Sequence, residues 1–279
     1  MKGGVGKTSL AINLAAGLAR RAAAKKSSPV AKVLLLDMDK QGNSLKTVSG
    51  TTSYTDVESL TSAIADDELL DLLGVTRRPL IELVRQAPEP WSPNLYFVPF
   101  REITMVEMRR RMASIGNTKE MMRAAIDSLR SAFEYVVIDT APDMDDLLFA
   151  IFSASDYVIV PVEMDNFALE GASRITEKVK NLGEATGKPQ ILGYLANKVV
   201  GRQIGDKNVL DGLASMFDSQ VYQVSIPTSI DIRYSQAVGR DIYGYAPSSP
   251  IAAAMGEMVE ETLRRIKSLP AKPRHARTG

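Results

Sequence analysis

The sequence predicts an α/β protein with a mostly parallel sheet and helices on both faces. Two patterns carry that prediction, and a third locates the working edge of the sheet. Apolar runs of strand length, rich in β-branched and aromatic residues, recur at 33–36, 95–98, 135–138, 157–162, 191–195 and 221–226. Amphipathic helical patterns lie between several of them, and this alternation describes strands covered on both faces. A glycine-rich stretch opens the first helix. Right-handed crossovers bring the strand carboxyl ends to one edge, where open α/β sheets bind ligands.

The elements follow in order. Leu10, Leu14 and Leu18 with Ala11 and Ala15 give one apolar face to a helix over residues 8–26. Met121, Ala125 and Leu129 do the same before the run at 135, and Ile175, Val179 and Leu182 before the run at 191. Residues 51–94 are less regular, with Asp66-Asp67-Glu68, Arg77-Arg78-Pro79 and prolines at 88, 90 and 93. They read as helical connections and a Pro-rich loop, not as a second domain. Residues 1–269 are expected to form a single domain. The polar, basic residues 270–279 are expected to form a disordered tail.

Composition narrows the chemistry. The chain has 279 residues, 45% of them hydrophobic and 24% charged, the profile of an ordinary globular protein. Lys plus Arg is 34 and Asp plus Glu is 33, so a net charge of +1 gives no global attraction to nucleic acid or membrane. With no cysteine, thiolate metal sites, disulfides and cysteine nucleophiles are excluded. His275 is the one histidine and lies in the tail, which removes His-triad hydrolysis and multi-His metal sites. No apolar run approaches 18 residues, and a cytoplasmic protein is expected.

The stretch Lys2-Gly3-Gly4-Val5-Gly6-Lys7-Thr8-Ser9 has the residues of a phosphate loop. Glycines turn successive backbone N–H groups toward one point, and a helix amino terminus follows at once; together they form a nest for a triphosphate. Lys7 supplies positive charge at the β- and γ-phosphates, and the Thr8 hydroxyl is suited to Mg²⁺. Gly3, Gly4, Val5, Gly6, Lys7, Thr8 and Ser9 are therefore the candidate nucleotide cradle. The strict pattern G-x-x-x-x-G-K-[ST] is not met, because Met1 stands at the first glycine and Lys2 follows it.

A second lysine beside the loop marks a deviant Walker A motif, and here the chain resembles the ParA/MinD group of P-loop ATPases, in particular ParA-type partitioning proteins. The resemblance implies ATP and Mg²⁺ as cofactors. It also implies a homodimer with ATP sandwiched at the interface, in which Lys2 reaches the partner's nucleotide and acts as an arginine finger does.

Two carboxylates, Asp37 and Asp39, end the run at 33–36. A Mg-ATP site needs such groups to hold metal waters and to orient the attacking water. The family pattern here is D-x-D-P-Q-G-N. By resemblance Asp37 is the Mg²⁺-associated residue and Asp39 the catalytic, water-orienting one, with Lys40 in place of the usual proline. Tyr135-Val136-Val137-Ile138-Asp139 has the form of a Walker B strand, which assigns Asp139 to the metal shell. The likeness spans roughly residues 2–267. It places Asn197 at the adenine edge and Pro227 beside the base, and Gln236 stands where Glu is frequent.

The family resemblance further implies nonspecific DNA binding by the ATP-bound dimer, hydrolysis stimulated by a ParB-type partner, and association with the nucleoid. Such binding needs cations on one face. Arg202, Arg233 and Arg240 are the leading candidates, with Lys207, Arg264, Arg265 and Lys267 beside them; Arg109-Arg110-Arg111 reads as a helix surface. A MinD-like positioning switch on another cargo or on the membrane is the alternative. Met255, Met258, Val259, Leu263 and Ile266 make an apolar stripe, but Glu257, Glu260 and Glu261 share that helix, and no aromatic anchors it. A helix packed on the sheet explains the stripe more simply.

A P-loop should follow a strand, and in this family that strand lies mid-sheet. The chain starts at Met1, immediately before the loop. The expectation is a sheet whose first strand is missing, two neighbours with unpaired edges, and an N-terminally shortened form that binds ATP poorly and aggregates.

Overall fold

The computed structural model describes residues 4–24, 32–39, 41–50, 78–99, 118–141, 146–165, 167–200 and 204–269. Helix α1 (Lys7–Ala24) is followed by β1 (Val33–Met38), α2 (Asn43–Ser49) and a 3₁₀ turn (Leu80–Leu83). Then come β2 (Arg85–Gln86), β3 (Leu95–Phe97), α3 (Thr118–Asp127), β4 (Tyr135–Thr140), α4 (Asp146–Ala154) and β5 (Tyr157–Glu163). The second part holds α5 (Ala168–Thr186), β6 (Gln190–Val199), α6 (Ile204–Phe217), a 3₁₀ turn (Asp218–Gln220) and β7 (Ile226–Pro227). It ends with α7 (Ile230–Ala237), α8 (Ile242–Tyr245) and α9 (Pro250–Ser268).

The fold is P-loop-like α/β with a mostly parallel sheet. Among the described residues the sheet is divided: β2-β3-β1-β4 form one part and β5-β6-β7 the other. β1 runs parallel to β3 and β4, and β6 parallel to β5 and β7; only β2 is antiparallel, against β3. The division falls between β4 and β5, each of which has one strand partner. β1, held on both sides, is buried at every residue.

Register sets the working edge. Asp37 lies directly across from Asp139 on β1 and β4. Glu163 lies across from Asn197 on β5 and β6. These polar groups therefore end their strands at matching levels.

Helix ends are fixed by their own chemistry. Ser229 opens α7 by accepting from the Asp231 N–H, and Ser249 opens α9 by accepting from Ala252 N–H with Pro250 in the first turn. The apolar stripe of α9 is a core element: Met255, Met258, Val259 and Leu263 are all buried. A membrane-facing role for that stripe is thereby removed.

Three expectations need correction. The run at 221–226 is not a strand: Val221 makes an isolated bridge to Tyr194, and only Ile226–Pro227 pair with β6. The reason is local competition, because the Glu261 carboxylate accepts the N–H groups of Gln223 and Val224 that a ladder would need. Within 78–94 the chain forms a 3₁₀ turn and the antiparallel strand β2, besides the Pro-rich loop with its buried Trp91. Arg265 is not a free surface cation. It pairs with Glu261 and donates to the carbonyls of Leu192, Ser219, Gln220 and Val221.

Candidate functional site

The glycine loop is described from Gly4. Gly4 and Gly6 have φ of 99° and 85°, the left-handed region that favours glycine. Gly6 has a second constraint: a Cβ there would stand 2.4 Å from Asn197 Nδ2. Helix α1 begins directly after it, with Leu10 N–H donating to the Gly6 carbonyl at 3.0 Å. Lys7, Thr8 and Ser9 form the first turn, where helix N–H groups lack partners within the helix. Lys2 and Gly3 lie outside the described residues, as do Lys40 and Arg202.

The carboxylates divide by their partners. Asp37 is buried, and both its oxygens are engaged, Oδ1 by the Asp39 N–H and Oδ2 by the Leu45 N–H. It fastens the loop after β1 to the start of α2. Burial foremost raises its pKa, against those hydrogen bonds. Asp39 is half-buried and closes a tight turn by accepting from the Gln41 N–H.

Asp139 is 1% exposed, and neither of its oxygens has a hydrogen-bond partner of good geometry. Burial first and the Asp37 charge second push it up to about 7, while the nearby Thr8 hydroxyl and Lys7 pull it down. A buried carboxylate without a donor, beside two others, is costly unless a cation faces it. Among the described residues no cluster of three or more acidic or histidine side chains has the geometry to enclose a metal by itself. The donor set still fits Mg²⁺, an ion that keeps several waters and takes one or two protein oxygens plus phosphate oxygens. Asp139 and Thr8 are the residues that could hold it.

The second sheet supplies a neutral amide, Asn197, and a charged pair, Lys198 with Glu163. Asn197 is buried, and its Nδ2 donates to the Val5 carbonyl at 2.7 Å, tying β6 to the glycine loop. Pro227 pairs beside Val199 at the next strand end. Lys198, whose φ is 58°, donates to Glu163 at 2.9 Å. A lysine in the left-handed region directly after Asn197 is local strain at the site edge.

Sequence reasoning missed the contacts that hold α1 from behind. Asn13 is 1% exposed, and its Oδ1 accepts from Ile242 N–H. Arg20 pairs with Asp241 at 3.0 Å, and the Ser9 hydroxyl donates to Gln236. An asparagine inside an otherwise apolar helix face was the available signal. Arg233 and Arg240 are both exposed, on α7 and just beyond it.

A glycine loop feeding a helix, a buried strand-end carboxylate and a parallel sheet define a P-loop nucleotide-binding protein. The chain belongs to the AAA domain family AAA_31, matched over residues 1–191, and groups with ParA/MinD-type P-loop partitioning ATPases. It is 27% identical to the chromosome partitioning protein ParA of Myxococcus xanthus over 274 residues, covering 98% of this chain and 88% of that one. It is also 27% identical to the chromosome-partitioning ATPase Soj of Thermus thermophilus over 277 residues, covering 95% and 94%. Among solved structures, apo McdA of Cyanothece superposes with a TM-score of 0.76 at 19% identity over 94% of this chain and 96% of that one. MinD of Pyrococcus horikoshii, complexed with Mg-ADP, has a TM-score of 0.70 at 20% identity over 97% and 96%. At such identities these two structures establish the shared fold.

Proposed function

We propose that this chain is an ATPase of DNA partitioning that binds Mg-ATP on its glycine loop, dimerises on ATP and binds DNA without sequence preference. The single observation that supports it best is Asp139, a buried carboxylate with no hydrogen-bond partner beside Thr8 and Lys7. Magnesium there would neutralise charge on the phosphates. Lys7 and the N–H groups that open α1 bind the phosphates, and Asn197 keeps the loop in shape through Val5. Asp39, at the exposed end of the same edge, orients the attacking water. Lys2 completes the site of a second copy.

The exposed Arg233 and Arg240 are proposed to contact DNA phosphates, with Arg202 as a third contact. A ParB-type partner is proposed to stimulate hydrolysis, and the ATP-bound form to collect on the nucleoid. The closing experiment is Asp39→Ala with ATP. It is expected to retain nucleotide, lose turnover and sediment as a persistent dimer that shifts DNA in a gel. Full turnover in that variant overturns the role of Asp39, and a dimer that ignores DNA at low salt overturns the partitioning reading.

A further inference from the structure

Helix α7 is amphipathic the wrong way round. Its inner side carries Ile232 against the core, but beside it Ser235 is 0% exposed and donates to the Ile232 carbonyl, and Gln236 accepts from Ser9. Its outer side is apolar, with Ile230, Tyr234 and Val238 exposed by 56%, 52% and 58%. Side chains four residues apart on a helix stack into a ridge, so these three form one continuous apolar ridge in water. A surface helix normally turns such a ridge inward, and one left outside marks a contact surface.

Charge identifies the kind of contact. Arg233 adjoins Tyr234, and Arg240 comes just after Val238. Gly239, with φ of 66°, turns the chain back so that the Arg240 N–H donates to the Ser235 carbonyl at 2.9 Å. Arg240 is thereby kept at the end of the ridge. Both arginines are exposed, and among the described residues neither has an ion pair. Asp231, the one acid on α7, turns to the helix cap, where it accepts from the Ser229 hydroxyl at 3.3 Å. An isologous contact between two copies of this ridge would set arginine against arginine, which opposes it. A polyanion answers both cations.

The shape of the ridge selects the part of the polyanion. In the major groove of duplex DNA, apolar side chains would cover base-edge donors and acceptors and leave them unmet. The minor groove is about 6 Å wide, room for a ridge one side chain across but not for a helix about 10–12 Å across. Minor-groove proteins pair apolar wedges with arginines in this way.

We propose that α7 meets DNA ridge first, with Ile230, Tyr234 and Val238 against the minor groove and Arg233 and Arg240 on the flanking phosphates. The inference rests on the DNA reading given above. It adds to that reading the groove and an apolar share of the contact that does not depend on salt.

The test is a salt series with the full chain, Mg-ATP and a labelled duplex of random sequence, read by anisotropy. Arginine contacts set the slope of log affinity against log salt, whereas apolar contacts shift affinity equally at every salt concentration. Ile230→Ser combined with Tyr234→Ser is expected to lower affinity by about tenfold throughout, with the slope unchanged. Arg233→Gln is expected to make the slope shallower by about one. On a duplex of alternating A and T, netropsin, which fills the minor groove, is expected to displace the parent chain.

Unchanged affinity in the double variant, or a loss that comes with a shallower slope, overturns the ridge and leaves the arginine contacts standing. Parent binding that ignores netropsin overturns the groove assignment. Loss of the ATP-bound dimer in the double variant would make the ridge a contact between copies of the chain, and the proposal falls. Should the double variant unfold, Val238→Ser carries the same slope test. A parent chain that binds no DNA at any salt concentration overturns this inference and the DNA reading together.

Discussion

β1 and β4 start from similar sequences, Val-Leu-Leu-Leu and Tyr-Val-Val-Ile, and end on aspartates that face each other across the ladder. β1 is buried throughout, whereas on β4 only Asp139 is buried. β5 repeats the pattern of β4, with Val160 and Val162 buried and its other residues half-buried. Among the described residues the difference is in neighbours, two for β1 and one each for β4 and β5. A strand's own hydrophobicity decides that it will be a strand, while its burial is decided by what covers its second edge.

The same boundary separates the residues of the loop site, with the charged Lys7, Asp37 and Asp139 on α1, β1 and β4 and the neutral, buried Asn197 on β6. The largest effect is expected on the charged side. Lys7→Ala should reduce Mg-ATP affinity by on the order of a hundredfold or more, because the phosphates lose their principal cation. Calorimetry showing unchanged affinity would dissociate the loop from nucleotide binding.

Stability should follow burial. Leu35→Ala in β1 is expected to cost about 2–5 kcal/mol. Val137→Ala on half-buried β4 should cost less than about 1 kcal/mol. Equal losses in urea unfolding would mean that β4 is as well packed as β1, and the comparison would fail.

A smaller effect comes from Asp139. Its folded-state pKa is raised to about 7 from 3.8, so the folded chain holds a proton that the unfolded chain releases. The stability linked to that proton is full below about pH 4 and is lost as pH rises through about 7. Without Mg²⁺, Asp139→Asn should therefore melt higher than the parent above pH 7, with the gap closing toward pH 4. The same variant should bind Mg²⁺-nucleotide more weakly. A gap that widens toward acid would reverse the assigned sign.

The smaller effect on nucleotide binding is expected on the Asn197 side. Asn197→Ala removes the hydrogen bond to the Val5 carbonyl, at a cost of about 1–3 kcal/mol, and should loosen the loop. Measured nucleotide affinity should fall less than for Lys7→Ala. A fall as deep as that of Lys7→Ala would give Asn197 a direct share of phosphate binding.

The legibility of these features in the sequence followed their range along the chain. Strands β1, β4 and β5 were legible because each is a continuous apolar run. The aspartates near the ends of β1 and β4 were legible because the apolar run stops at them.

Contacts between distant residues were not legible in the same way. Nothing beside Asn197 announces Val5, 192 residues away. The apolar run at 221–226 looked like a strand, because no local feature reveals that Glu261 takes its N–H groups. β2 is two residues long, too short for any period to register.

Glu261 and Arg265 carry one more consequence, in the order of synthesis. Together they engage N–H groups of residues 223 and 224 and carbonyls as far back as Leu192, partners translated 37 to 73 residues earlier. Until α9 leaves the ribosome, that margin of β6 and the segment after it stays open to any strand-like chain nearby. Two side chains on a late helix thus close an edge that most sheets close with backbone. The time between translation of β6 and of α9 is an interval in which that margin of the nascent chain is exposed to association with its neighbours.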